Sequence, residues 1–423
     1  MHPAQSLCRF VDDSPAPLLA ALTLARALES AGFQRLSLSS PRWELSPGGW
    51  FVQRGGAVIA FRLRSRAPRR FALIGAHTDS PHLRLKPRAG YVTEGVLQLG
   101  VEVYGGALWN SWLDRDLGLA GAVYTDDGEA HPLVIRRPMA RVSQLAIHLD
   151  RKANDDGLKL NPQLHLAPMW GLSSSSTDAQ RELDVALALA AGVEVSDVCA
   201  ADVSLFDVAP STLGGAREEF VFAARLDNLA SCHAGLTALL DAADGAPEAA
   251  PVLACFDHEE IGSSSLDGAD GTLLDTVLER VSLALGVDRA GHLAALASSL
   301  MLSADMAHAL HPNYTDRHEP RHRPAMGAGP VLKSNANQRY ATNGPTAARL
   351  RGLAKRADVP LQDFVTRTDL GCGSTIGPIT ASRLGVPVVD LGAPMLSMHS
   401  ARECCAAEDH ARYCALLTAH LRS

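Results

Sequence analysis

The chain has 423 residues, 47% of them apolar and 20% charged, with a net charge of −7. That length exceeds one small core and points to two or three domains of a globular protein. The acidic balance offers no basic face for nucleic acid and mainly serves solubility.

Eight cysteines (Cys8, Cys199, Cys232, Cys255, Cys372, Cys404, Cys405 and Cys414) are scattered with no CxxC pair. This argues against a zinc knuckle or a disulfide framework and fits reduced thiols. The N-terminus shows no signal-peptide pattern, and its apolar segment from Pro17 to Leu28 is broken by Arg26 and too short to span a bilayer. The expected location is cytoplasmic.

In chain order, Ala16 to Ala31 has near-helical apolar spacing, with Ser14 as N-cap, Pro15 at the first helical position and Gly32 as a stop. Trp50 to Leu63 alternates around Gly55-Gly56 and predicts a β-hairpin. Phe71 to Ala76 is an apolar run of strand length that stops at His77, and Ser80-Pro81 prevents its continuation. After about Lys86, short alternating segments take over: Val96 to Tyr104, Leu119 to Tyr124, Pro132 to Ile135 and Leu145 to Leu149. They predict an inserted antiparallel β domain.

A polar link, Ser173 to Ser176, precedes a helix over Asp178 to Ala191. From about Arg225 an α/β alternation resumes. It predicts a strand over Val252 to Phe256, a helix over Thr272 to Leu285, an apolar run from Leu296 to Ser303, and a helix over Thr346 to Ala357. A strand over Val386 to Leu391 and a terminal helix over Glu408 to Leu421 complete the chain.

Three apolar strand patterns therefore finish at His77, at Glu259-Glu260 and at Asp305, and a fourth precedes a loop holding His399. Sites in open α/β sheets gather beyond the carboxyl ends of strands, so these ends can converge. Asp227, opening a helix, supplies a further carboxylate. Nitrogen and oxygen donors without thiolate suit a catalytic zinc, cobalt or manganese centre. Five ligands serve two ions only when one carboxylate bridges, which is a two-metal hydrolase arrangement. Of the adjacent pair Glu259-Glu260, one carboxylate binds metal while the other takes a proton from water. His77-x-Asp79 suits an imidazole ligand aimed by an outer carboxylate. Taken alone, Asp257 to Glu260 also reads as a solvated acidic turn.

These stretches resemble the aspartyl aminopeptidases, cocatalytic zinc metallopeptidases. The matching segments are His77-Thr78-Asp79-Ser80-Pro81 with Leu83 to Pro87, Tyr104-Gly105-Gly106 with Trp112 to Leu117, and Arg225 to Ser231. Phe256 to Ser263, Asp305 to Ala309 with His311 to Tyr314, Asn335 to Ala341, Gly373 to Pro378 and Pro394 to Glu403 follow in family order.

The resemblance implies a three-layer α/β/α catalytic domain with a mixed central sheet (residues 1–88 and 223–423). Residues 89–222 would form an inserted β-rich lid and oligomerisation domain. It also implies two divalent ions per chain, most simply zinc, bridged by Asp227. His77 and Asp305 would complete one site, Glu260 and His399 the other. Glu259 would be the general base and Asp79 the holder of His77.

By the same resemblance, His308, Lys333 and Tyr340 form a pocket for an acidic first residue. Residue chemistry alone makes Lys333 a solvated loop residue, as most lysines are. His148 would reach a neighbouring subunit's active site; on sequence grounds it equally reads as a strand-end histidine of the inserted domain. His82 stands where many members have a small residue or cysteine, which touches packing. The implied activity is release of N-terminal Asp or Glu from peptides through a metal-activated water, by a homo-oligomer that is dodecameric in the family. No nucleic-acid or membrane partner is expected. An amidase or deacylase on the same catalytic fold, and a catalytically silent scaffold, are the competing readings.

Overall fold

The computed structural model describes residues 2–65, 68–174 and 176–423; Ser175, within the expected polar link, lies outside them. The chain packs as two compact units, Met1–Asp79 with Ser211–Met398 and Glu403–Ser423, and Ser80–Pro210 with His399–Arg402.

The first unit is built on a nine-stranded mixed sheet. Its order in space is Gln34–Arg35, Gly48–Arg54, Ala57–Leu63, Ala249–Phe256, Arg70–His77, Leu300–Ala304, Val388–Gly392, Val331–Lys333 and Gln362–Phe364. The four strands from Ala249–Phe256 to Val388–Gly392 run parallel. Their residues are apolar on both sides because both faces are covered. Ala72, Ile74, Ala76, Leu253 and Cys255 pack in one core with the helices Pro3–Asp12, Leu226–Asp241 and Ala407–Arg422. Phe71, Leu73, Val252 and Ala254 pack in another with the helices Leu273–Ala284 and Arg289–Ser298. The result is the expected α/β/α layering. A separate five-stranded sheet includes Phe220–Ala223, Glu403–Ala406 and Ala307–His308.

The second unit holds an antiparallel sheet of six strands, Ala130–Ala140, Leu117–Tyr124, Ala200–Asp207, His82–Thr93, Val96–Tyr104 and Met169–Leu172. The helix Ala179–Ala191 covers it through Leu183 and Leu187. The boundary expected at residue 88 falls inside His82–Thr93, which pairs with Val96–Tyr104 and so belongs with the insertion. His82 packs there: its Nδ1 lies 2.8 Å from the Ser80 carbonyl and its ring stacks 4.5 Å from that of Tyr104.

Several local expectations are corrected. Helix Pro17–Ser30 is capped at Ala16 with Pro17 in its first turn, so the Ser14-Pro15 start is two residues early. An unanticipated helix, Pro3–Asp12, precedes it. The run Leu296 to Ser303 is split, because its first residues end the helix Arg289–Ser298 before the strand begins at Leu300. Leu145 to Leu149 is turn and loop, with Leu145 and Leu149 exposed. Its alternation of apolar residues has no sheet partner. Among the described residues, no helix is long and apolar enough to cross a membrane.

Two buried histidines tie the terminal helix to the rest of the first unit. His420 Nε2 lies 3.1 Å from the Leu73 carbonyl, and His410 Nε2 lies 2.9 Å from His233 Nδ1. Burial lowers both His420 and His233 to about 4. A depressed histidine contributes stability above its unfolded value, near 6.5, and loses it as pH falls towards the folded value. Each should therefore cost about 2 kcal/mol of stability between about pH 7 and about pH 5. In urea unfolding over that range, His420→Gln should flatten the loss by that share; an unchanged slope would contradict the assignment.

Candidate metal centre

Strand Arg70–His77 delivers His77 at the end of the parallel set, opposite Phe256 in the neighbouring strand. The ladder runs one residue further, with the Thr78 N–H donating to the Phe256 carbonyl at 2.8 Å. His77 is therefore aimed by backbone pairing before any side chain acts. Asp79, fully buried, then turns back towards it. Its Oδ1 lies 3.2 Å from His77 Nδ1 and its own carbonyl 3.0 Å away, leaving Nε2 to face inwards.

The same Asp79 carboxylate accepts two backbone N–H groups, from Glu259 on Oδ1 and from Glu260 on Oδ2, each at 3.1 Å. The Glu259–Ile261 turn is entered through His258 at φ 62° and left through Gly262 at φ 98°. The sharp reversal brings both glutamates back over the strand end.

Asp227 comes from the start of the Leu226–Asp241 helix, where residues 227 and 228 depart from helical dihedrals. Two buried groups hold it there. The Asp227 N–H donates to Glu403 Oε2 at 3.1 Å, and Asn228 Nδ2 donates to the Ala304 carbonyl at 2.8 Å, next to Asp305. Below, the Cys232 thiol donates to the His77 carbonyl at 3.0 Å.

These supports bring His77, Asp227, Glu259, Glu260 and Asp305 together. His77, Asp227 and Asp305 place donor atoms within 4.8 Å of one another, as do His77, Glu259 and Glu260. From His77 Nε2 the distances are 3.6 Å to Asp227 Oδ1, 3.8 Å to Asp305 Oδ1 and 4.0 Å to Glu259 Oε2. Those spacings are too long for hydrogen bonds and suit the edges of a polyhedron about an ion with bonds of about 2.0–2.2 Å.

The electrostatics agree. Burial alone would lower His77, yet the carboxylates of Asp305, Asp79 and Glu259 around it raise it well above its ordinary value. Glu259 is pushed up to about 8, first by burial and then, against the His77 charge, by Asp305, Asp79 and Asp227. Several carboxylates around one imidazole call for a cation. The donor set of imidazole and carboxylate fits zinc.

A second cluster, His233, His410 and Cys414, also gathers donor atoms. Its nitrogens sit at the hydrogen-bond distance of 2.9 Å, and the chain continues from His233 Nε2 to Ser6 Oγ at 2.9 Å. It is a hydrogen-bonded relay in the core.

His399 falls in the short segment of the second unit, at φ 69°. Its Nδ1 lies 3.1 Å from the Gly106 carbonyl, and a Cβ on Gly106 would press to 3.3 Å from that nitrogen. Donation to the carbonyl from Nδ1 leaves Nε2 as the ring's acceptor nitrogen. His148 lies in an exposed turn of the second unit, and the strand-end reading is corrected.

Lys333 is also corrected. It is no solvated loop residue but lies in a strand at 2% exposure, with Nζ 3.2 Å from Asp305 Oδ2 and 3.1 Å from the Met306 carbonyl. Against the cost of burial, Lys333 and then His77 hold the Asp305 carboxyl well below the usual range. The Lys333 ammonium stands 5.1 Å from the Tyr340 ring centroid. Tyr340 and His308 line a cavity of about 290 Å³ with Phe364, Arg317 and Arg367.

Residues 10–420 match the model of the family described as aminopeptidase I zinc metalloprotease, M18. The chain belongs to the M18 aminopeptidase family. A relative named probable M18 family aminopeptidase 2, from Streptomyces avermitilis, is 48% identical over 408 residues, covering 95% of this chain and 94% of its own. Among solved structures, a chain of the Ape4 and Nbr1 complex has a TM-score of 0.94 at 39% identity, covering 99% of this chain and 85% of that one. The S. cerevisiae mApe1 dodecamer has a TM-score of 0.84 at 30% identity, covering 98% and 95%. This M18 member is thus a hydrolase, an aminopeptidase of a zinc metalloprotease family.

Sequence reasoning did not find Glu403, Asn228 or Cys232 as supports. Asn228 and Glu403 stood inside quoted motifs, but nothing in their spacing tells which backbone group they reach.

Because Asp79 holds the candidate ligand His77 and the backbone of the Glu259-Glu260 pair, Asp79→Ala should weaken zinc binding about 10–100-fold. Competition with a chromophoric chelator measures this. Unchanged affinity would remove Asp79 from the support of the centre.

Proposed function

We propose that this chain releases Asp and Glu from the N-termini of peptides, with two divalent ions, most simply zinc, and with Glu259 as the general base. The observation that carries the reading is the convergence of His77, Asp227, Asp305, Glu259 and Glu260 beside a buried lysine. Asp227 would bridge, His77 and Asp305 would hold one ion, and Glu260 with His399 the other, as the resemblance implies. When bound, the ions polarise the scissile carbonyl and acidify water near neutral pH.

The protein groups do the rest. Glu259, raised by its surroundings, accepts a proton from water and returns it to the leaving amine. The carboxylate-rich centre offers acceptors for the substrate's free ammonium. Lys333 has three N–H groups, and Asp305 and Met306 take two. The third supports a bond to an acidic substrate side chain. Burial and then Cys372 keep the Tyr340 phenol protonated, so that it can donate. His308 rests edge-on against Phe364 at 5.7 Å on the same cavity.

The proposal includes a homo-oligomer, dodecameric by resemblance, in which His148 reaches a neighbouring copy's centre. In support, the neighbouring solved structure is a dodecamer, and the loop around His148 exposes Leu145 at 61% and Leu149 at 75%. Exposed apolar groups clustered in this way mark interaction surfaces. A cytoplasmic location is part of the same reading, supported by eight cysteines in the thiol form.

With peptides differing only in the first residue, the purified protein should prefer Asp and Glu over Leu and ignore N-acylated amino acids. Elemental analysis should give about two ions per chain. Action on blocked substrates alone would sink the proposal in favour of an amidase or deacylase.

Glu259→Gln should lose about 10²–10⁴-fold in kcat at unchanged metal content. Mixing it with His148→Ala during assembly should restore part of the activity that each lacks, since some centres would then combine both intact residues. No recovery from mixed assemblies would end the cross-subunit role of His148.

A further inference from the structure

The segment Gly373 to Pro378 matches the family, yet beyond Gly373 at the wall of the Tyr340 cavity the centre and its pocket leave it without a role. In the structure it meets Asp390, a fully buried carboxylate on the strand Val388–Gly392 that binds no candidate ion. Asp390 Oδ2 accepts the Ala341 N–H at 2.6 Å, and the Asp390 N–H donates to Thr342 Oγ1 at 2.9 Å. Both bonds hold the loop directly after Tyr340.

On its other side, Oδ1 accepts the Thr375 hydroxyl at 2.6 Å. Thr375 caps the helix Ile376–Leu384, accepting the Gly377 N–H at 3.2 Å. A Cβ on Gly377 would stand 2.5 Å from both Asp390 oxygens, so only glycine lets the helix start come this close. Ser374 Oγ adds a tie to the Arg339 carbonyl at 3.2 Å, just before Tyr340. In the sheet register Asp390 is paired with Lys333 on the neighbouring strand. One carboxylate thus joins the loop of Tyr340, the start of a helix and the strand of Lys333.

We propose that Asp390 is a positioning residue for the first-residue pocket: it fixes Tyr340 relative to Lys333 and so sets the selectivity for acidic side chains. This rests on the acidic-residue reading above. A buried charge is costly unless hydrogen-bonded, and an apolar strand residue would serve the sheet better. What the carboxylate provides is acceptors pointing two ways at once. The Gly373 to Pro378 motif is accounted for as the surface that receives it.

The test compares Asp390→Ala and Asp390→Asn in the full-length, metal-loaded protein, on peptides starting with Asp, Glu or Leu. Asp390→Ala should raise KM for the acidic substrates about tenfold or more, with kcat and metal content within about threefold and kcat/KM for the Leu peptide little changed. Asp390→Asn keeps an oxygen for the Ala341 N–H and should recover most of the loss. If the alanine variant fails to fold, Thr342→Val, which cuts the second tie and leaves the carboxylate in place, should give about a threefold KM rise for the acidic peptides alone. Equal losses on all three substrates, or none, overturn the role of Asp390. A wild-type protein without acidic preference overturns the parent reading and this inference with it.

Discussion

The Asp79 carboxylate is the fixed point of the catalytic unit. It has no exposed surface, and each oxygen is committed: one to His77 and the Glu259 N–H, the other to the Glu260 N–H. Burying a charge is tolerated when every lone pair direction is met. Here that requirement welds two adjacent strand ends into one object. Glu259 is held by its backbone, so its side chain stays available for the proton transfer proposed for it.

Around that point, support comes mostly from backbone groups. Asp227 is steadied through its N–H, Asp305 through the carbonyl beside it that Asn228 grips, and His77 from beneath through its own carbonyl. Side-chain oxygens stay turned towards the centre while main-chain atoms bear the structure. Preorganised acceptors of this kind reach the reaction without rearranging.

The His77 strand was legible because an apolar run ended in a histidine and a breaker. The closeness of His77, Glu259, Glu260 and Asp305 was legible for the same reason, since strand ends in such sheets converge. Lys333 was misread because lysine is so rarely buried that composition argues against it; the Asp305 carboxylate, 28 residues away in sequence, and the Met306 carbonyl explain its place. Leu145 to Leu149 has the alternation of a strand but no strand partner among the described residues, and periodicity does not report partners. Helix Pro3–Asp12 carried its signal in Ala4, Leu7, Cys8 and Val11, an apolar face that is buried and that the reading passed over.

The ion pair between Lys333 and Asp305 makes two parts of the protein share one account of charge. Asp305 would face an ion on one side and faces an ammonium on the other, so whatever changes the hold of one alters the field felt by the second. Binding free energies linked in this way are reciprocal. An acidic end-product lodged against Lys333 and an ion lodged against Asp305 would each change the residence of the other by the same factor. The pocket that selects a substrate would then also govern how long the centre keeps its ions.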